Sequence, residues 1–228
     1  MHPDLLIIGD SHTAALQEAA VAYGLNSEML YISGNFWHEN QMRPHRGQGI
    51  SQPHRRGLNR KIIGFNAQIG GSVFRADIPV LASIGYHLGR LAPLFARHGH
   101  TPDAAHFAEN DGLLFVSDDF LLSYILHHRD SLFRLLRFGA QYAKLTVVAP
   151  PMIQTDPVAL YFGSRITSAL RKHGLTVFDP RDEEDWADRP LPEHLRAPDG
   201  VHGNAAYGAE VLDRLSRRGL LSVDPATV

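Results

Sequence analysis

The sequence predicts an α/β fold: a three-layer α/β/α sandwich built on a mainly parallel sheet. Three observations predict it. Short apolar runs recur along the chain and stop at glycine or proline, as strands buried on both faces do. Stretches with a helical apolar period separate these runs. The 228 residues are enough for one sizeable core, and neither an internal repeat nor a second core is visible, so a single domain over residues 1–228 is expected.

The elements follow in chain order. "DLLII", closed by Gly9, is the first strand. "HTAALQEAAVAYG" is a helix with Ala15, Leu16, Ala19, Ala20 and Tyr23 on one face and Gly24 as its stop. "SEMLYIS" is the second strand. From Gly34 to Asn59 the chain is rich in Gly, Pro, His and Arg and has no period. It reads as a long basic loop inserted around residues 34–61. "KIIGFNAQIGG" reads as an extended segment entering a glycine turn. "IPVLASIG" is the third sheet strand. "HLGRLAPLFARHG" is a helix in which Pro93 belongs near the start or at a kink. "GLLFVS" is a minor strand or an extended connection.

Asp118 and Asp119 mark a helix start, and His127 and His128 read as an exposed helix end. Ser131 to Ala143 form an amphipathic helix with Leu132, Leu135, Leu136 and Tyr142 on one side. "KLTVVAPP" is the fourth strand. "TDPVALYFGSRITSALRKHG" is a helix with Asp156 as N-cap and Pro157 in its first turn. "LTVFDP" is the fifth strand, and "DPRDEEDWADRP" reads as a solvated acidic loop. "GNAAYGAEVLDRLSRRG" closes the chain as a helix capped by Asn204.

Composition excludes several classes. The net charge of -2 leaves no electrostatic footprint for nucleic acid. The absence of cysteine excludes disulfides, thiolate catalysis and cysteine-ligated metals. The N-terminus has no positively charged region before its short apolar run, and no stretch approaches the roughly 20 apolar residues of a membrane span. A cytoplasmic protein is expected. Fourteen histidines invite a metal reading, but in a lysine-poor chain they read as surface and loop residues. Arg43, Arg46, Arg55, Arg56, Arg60 and Lys61 are either a solvated surface or a clamp for an anionic group.

The chemistry lies at the two ends. In open α/β sheets the functional crevice lies beyond the carboxyl ends of the strands. "GDSH", after the first strand, puts Asp10, Ser11 and His12 there. "APDGVHGNAAYG", before the last helix, holds Asp199 and His202 three residues apart. Alone, Ser11 reads as a helix N-cap. With the late Asp–His pair it forms a relay: the imidazole takes the hydroxyl proton, and the carboxylate holds the imidazole in one tautomer. Asp10 reads as an acid bonding turn amides, and His12 as solvated or lining the cleft.

"IIGDSHTAAL" followed by "DGVHGNAAYG" resembles the SGNH hydrolases, the GDSL-type esterases and lipases. The strand and helix order fits over most of the chain, while the specific motifs lie at its ends. The resemblance implies a flavodoxin-like sandwich, Ser11 as nucleophile, and Asp199 with His202 completing a triad. It implies an oxyanion hole made by the Ser11 N–H, a glycine N–H and an asparagine side chain. The glycine maps to Gly70, with Gly71 as the alternative. The asparagine is a departure: in "SIGYHLGR" His87 stands in its place and Leu88 replaces the following aspartate. An imidazole N–H can donate to an oxyanion.

The implied activity is serine-dependent hydrolysis of a small or medium acyl ester through an acyl-enzyme, an O-acetylated sugar being one such substrate. Its expected partner is that small-molecule ester, with no cofactor, no metal, no nucleic acid and no membrane span. Asp10, His12, Gly71, Arg43 and Arg46 are its candidate substrate contacts. The first alternative is a non-catalytic or transferase relative that binds an anionic or carbohydrate ligand. The second is a metallophosphoesterase, since Asp10 and His12 form a D-x-H pair. That match loses its G-D-x-x-D-R segment, and "GNFWHE" and "HGHTP" only echo the remaining motifs.

Overall fold

A computed structural model describes residues 2–39, 41–153, 156–187 and 189–221. Asn40, Thr155 and Asp188, which fall inside three of the segments read above, lie outside the described residues. The chain begins β1 (Leu5–Gly9), α1 (Thr13–Ala22), β2 (Ser27–Tyr31), α2 (Gly34–His38), β3 (Arg43–His45), β4 (Gly49–Ser51) and α3 (Arg56–Gln68). It continues β5 (Val80–Ser83), α4 (Leu88–Arg97), β6 (His100–Thr101), α5 (Ala104–Glu109) and β7 (Leu114–Phe115). It ends α6 (Asp118–Tyr142), β8 (Leu145–Val148), α7 (Pro157–Lys172), β9 (Thr176–Phe178) and α8 (Ala205–Arg217).

The central sheet runs β2-β1-β5-β8-β9, and every neighbouring pair is parallel. That is the flavodoxin-like doubly wound order. β1 is buried along its whole length because it pairs on both edges and is covered on both faces. Leu5 and Ile7 face a core shared with Leu16, Ala20, Val211 and Leu215 of α1 and α8. Leu6 and Ile8 face the opposite core, with Ile62 of α3, Leu132 and Leu136 of α6 and Phe162 of α7. Burial on both sides is why these strands read as unbroken apolar runs. No helix among the described residues is long and apolar enough to cross a membrane.

The segment read as a basic loop is built instead. Its first turn is α2, which buries Trp37, and β3 and β4 form an antiparallel hairpin that buries Ile50. The "KIIGFNAQIGG" segment is not extended. It is the body of α3, with Leu58, Ile62, Phe65 and Ile69 turned inward and Ile63 exposed. The adjacent Ile62 and Ile63 imitate a strand, but the inward residues keep helical spacing.

Other boundaries shift as well. α6 is one helix of 25 residues, so His127 and His128 lie inside it, and Tyr142 is exposed rather than packed with Leu132 and Leu136. Pro93 sits inside α4, where the amide it lacks would have served Gly89, an exposed residue. The acidic segment is not simply solvated: Asp179 and Trp186 are buried, and Glu183 pairs with Arg214.

α1 and α8 meet through glycine. A Cβ at Gly208 would lie 2.0 Å from the Ala15 carbonyl oxygen. Gly208→Ala therefore forces the two helices apart, at a cost of about 1–3 kcal/mol or more. Thermal unfolding should show Tm lowered by about 3–10 °C, and an unchanged Tm would mean that the helices have room to separate.

Candidate active site

The carboxyl end of β1 presents the site. A Cβ at Gly9 would lie 2.5 Å from the Ser83 carbonyl oxygen, so β1 and β5 approach there as only glycine allows. Asp10 then turns the chain: its Oδ1 accepts the His12 N–H at 3.0 Å, and its carbonyl accepts the Thr13 hydroxyl at 2.5 Å. The turn leaves Ser11 exposed at the mouth of a cleft of about 530 Å³. The N-cap position of α1 falls to His12, and the Ser11 hydroxyl makes no capping bond.

The late loop reaches the same point. Asp199 Oδ1 accepts the N–H groups of Val201 and His202 at 2.9 and 3.1 Å, which closes a turn around Gly200 at φ +70°. Its Oδ2 accepts from His202 Nδ1 at 2.6 Å. A carboxylate only accepts, so Nδ1 carries the proton and Nε2 is the free base. The Ser11 hydroxyl donates to that Nε2 at 2.7 Å. The backbone amide of Val201, first, and the His202 side chain hold the Asp199 carboxyl down at about 2. Asn204 caps α8 by accepting the Tyr207 N–H, as read from the sequence. The His12 ring lies against that of His202 with centroids 4.7 Å apart, and burial holds it below the ordinary imidazole value.

The opposite wall is segment 86–90. His87 sits at φ 45°, ψ 48°, the one non-glycine residue with positive φ among the described residues. That conformation costs about 1–2 kcal/mol. Arg129 of α6 holds it. This guanidinium is fully buried and donates to the Tyr86 carbonyl at 2.9 and 3.1 Å and to the His87 carbonyl at 3.3 Å. Burial pushes Arg129 down to about 10, which leaves it charged at neutral pH. His87 Nε2 lies 3.1 Å from Asp10 Oδ2, but off the line of a hydrogen bond. Asp10 thus favours the Nε2–H tautomer without fully engaging that donor. Burial pushes His87 down and Asp10 opposes it, with a net lowering. Below this wall Tyr86 Oη meets Thr167 Oγ1 at 2.7 Å, and Thr167 bonds Asp179.

The structure brings Asp10, Ser11, His12, His87 and His202 together around the cleft, with Asp199 one hydrogen bond behind. It leaves four other candidates outside the cleft. Gly70 is exposed at the end of α3 with its N–H given to the Ala67 carbonyl, and the Gly71 N–H bonds the Asn66 carbonyl. Neither lines the cleft, because the segment before them is a helix and not the second strand. Arg43 bonds Ser131 Oγ at 2.8 Å and ties the hairpin to α6, while Arg46 is exposed in the hairpin turn. Neither of these lines the cleft.

Gly34, the first glycine after β2, does line the cleft. A Cβ there would lie 3.3 Å from His87 Cδ2 and 3.4 Å from Asp10 Oδ2. Among the described residues neither its N–H nor that of Ser11 has a protein acceptor. The signal was present in "YISGN", a glycine just past a strand end. Among the described residues no three His, Asp or Glu side chains converge as a ligand set, and Asp10 is engaged by His12 and His87.

No family model matches the chain, and no curated protein matches it. Among solved structures the chain is similar to the psychrotrophic esterase EstA from Pseudoalteromonas sp., in a form inhibited by monoethylphosphonate. Identity is 14%, coverage is 95% of this chain and 97% of that one, and the TM-score is 0.44. It is also similar to a variant of Axe2, an acetyl xylan esterase from Geobacillus stearothermophilus. Here identity is 16%, coverage is 97% and 95%, and the TM-score is 0.45.

Asp199 gives the site a pH signature. Its folded value lies below that of the unfolded chain, so its stabilising contribution is complete above pH 4 or so and is lost as pH falls through about 2. The carboxyl carbon of Asp199 should titrate near 2 by NMR. A midpoint at the ordinary aspartate value would mean that the turn amides and His202 do not hold it.

Proposed function

We propose that the chain is a serine-dependent ester hydrolase of the SGNH type. The observation that carries this reading is the unbroken relay from Ser11 Oγ through His202 to Asp199, at 2.7 and 2.6 Å, at the carboxyl edge of the sheet. Ser11 Oγ attacks the ester carbonyl carbon while His202 Nε2 takes its proton. Asp199 steadies the imidazolium. The carbonyl oxygen becomes an oxyanion within reach of the N–H groups of Ser11 and Gly34, with His87 Nε2–H as the third donor. Collapse breaks the bond to the alcohol, which leaves with the proton from His202, and the acyl group stays on Ser11. Water then attacks the acyl-enzyme with His202 as base, the acid departs, and the proton returns to Ser11. Every step is served by side chains and amides of this chain. The cleft volume suits a small or medium acyl ester, an O-acetylated sugar among them.

Short p-nitrophenyl esters test the nucleophile. Ser11→Ala should cut turnover by about 10³-fold or more and block labelling by a fluorophosphonate, while a chelator should leave the wild type unchanged. Full activity in Ser11→Ala would remove the relay from the mechanism. Loss of activity with the chelator alone would point to metal chemistry instead.

The hole has its own test. His87→Ala should lower kcat by about 10²-fold with little change in KM, as expected for a donor used only in the transition state. An unchanged kcat would reduce His87 to a wall of the cleft.

A further inference from the structure

α4 begins at the cleft. His87 is its N-cap residue, and Leu88, Gly89 and Arg90 line the cleft with it. A helix start carries partial positive charge and N–H groups that the helix itself leaves unpaired. Here no side chain caps the helix and no acid stands in its first turn. Among the described residues neither the Leu88 nor the Gly89 N–H has an acceptor. The first turn instead carries Arg90, the sign of charge that a helix start disfavours. Arg90 is exposed, has no carboxylate partner among the described residues, and donates to Asn35 Oδ1 of α2.

Two observations beyond the helix start point the same way. Arg129, fully buried behind this wall, also has no carboxylate partner among the described residues and is held by backbone carbonyls. The His87 side chain is 2% exposed and lines the cleft, yet neither ring nitrogen makes a hydrogen bond to protein. Of the cleft's other charged side chains, Arg181 is paired with Asp179, while the Asp10 and Asp199 carboxylates face neutral imidazoles. Two cations without a carboxylate partner among the described residues and two unpaired helix amides thus lie on one wall, with the Asp10 carboxylate at its edge, 3.1 Å from His87.

We propose that residues 88–90 form a carboxylate subsite, and that the substrate is an ester bearing a free carboxylate. The carboxylate lies on the Leu88 and Gly89 N–H groups and the Arg90 guanidinium while Ser11 attacks the ester carbonyl. One guanidinium fork and two amides match the two oxygens and single charge of a carboxylate. A phosphate monoester, with its second charge, calls for more cations than this wall presents. The assignment of substrate class rests on the ester hydrolase reading, whereas the binding of the anion does not.

Two measurements separate these claims. The first compares kcat/KM for mono-p-nitrophenyl succinate and p-nitrophenyl butyrate in the wild type and in Arg90→Glu, a change at an exposed position. The wild type should favour the succinate by about tenfold or more, less so at high salt, and Arg90→Glu should reverse the preference. The second is calorimetry with succinate alone, which should bind the wild type and not Arg90→Glu. Binding of succinate without turnover of either ester would keep the subsite and sink the hydrolase reading. Turnover without preference, or no binding of succinate, would overturn the subsite. Binding of inorganic phosphate in place of succinate would overturn the carboxylate assignment.

Discussion

β1 is the constraint on which the rest of the molecule depends. It is hydrogen-bonded along both edges and covered on both faces, so its five residues have no freedom of register or direction. A one-residue slip would exchange Leu5 and Ile7 for Leu6 and Ile8 between two differently shaped cores. Its end is equally fixed, because the missing side chain of Gly9 lets β5 close against it. Asp10 and Ser11 inherit that rigidity. Ser11, two residues beyond a locked strand, is placed by the sheet itself.

Against this rigid edge the other side of the cleft accumulates unfavourable terms. His87 adopts a left-handed backbone, Arg129 is buried without an acid, and the first turn of α4 carries a cation. Each opposes folding. They persist because surrounding contacts over-determine them: Arg129 grips two successive carbonyls, and Tyr86 is tied to α7 through Thr167. Strain gathered on a wall of the cleft that also holds Ser11 is the pattern expected of a site organised before its ligand arrives.

The parts of the fold legible in the sequence were those where one physical rule dominates. Strands buried on both faces announce themselves, and "DLLII", "IPVLAS" and "KLTVV" each became a sheet strand. Asp156 and Asn204 cap their helices because side-chain oxygens satisfy amides that nothing else reaches. Reading failed where two rules competed. In α3 the paired isoleucines and the glycine imitate an extended segment, and the helix wins by burying Ile62 and Phe65. In residues 34–59 polar composition hid Trp37, Met42 and Ile50, too widely spaced to form a pattern yet enough to anchor a hairpin. The same imitation draws attention to Gly70, whereas Gly34 follows β2 and lines the cleft. The Ser11, Asp199 and His202 positions were legible because their motifs are short and local. Their meeting across the fold was not, because no local pattern encodes a contact between residues 11 and 202.

That contact has a consequence for synthesis. The relay joins residues 191 positions apart, and α8 docks on α1 at Gly208, where a Cβ would lie 2.0 Å from the Ala15 carbonyl oxygen. A ribosome builds the chain from β1 onward, so the sheet and the cleft wall can form while the last helix is still being made. During that interval Ser11 has no base beside it. On the hydrolase reading proposed above, the nascent chain turns over no ester until His202 reaches Ser11.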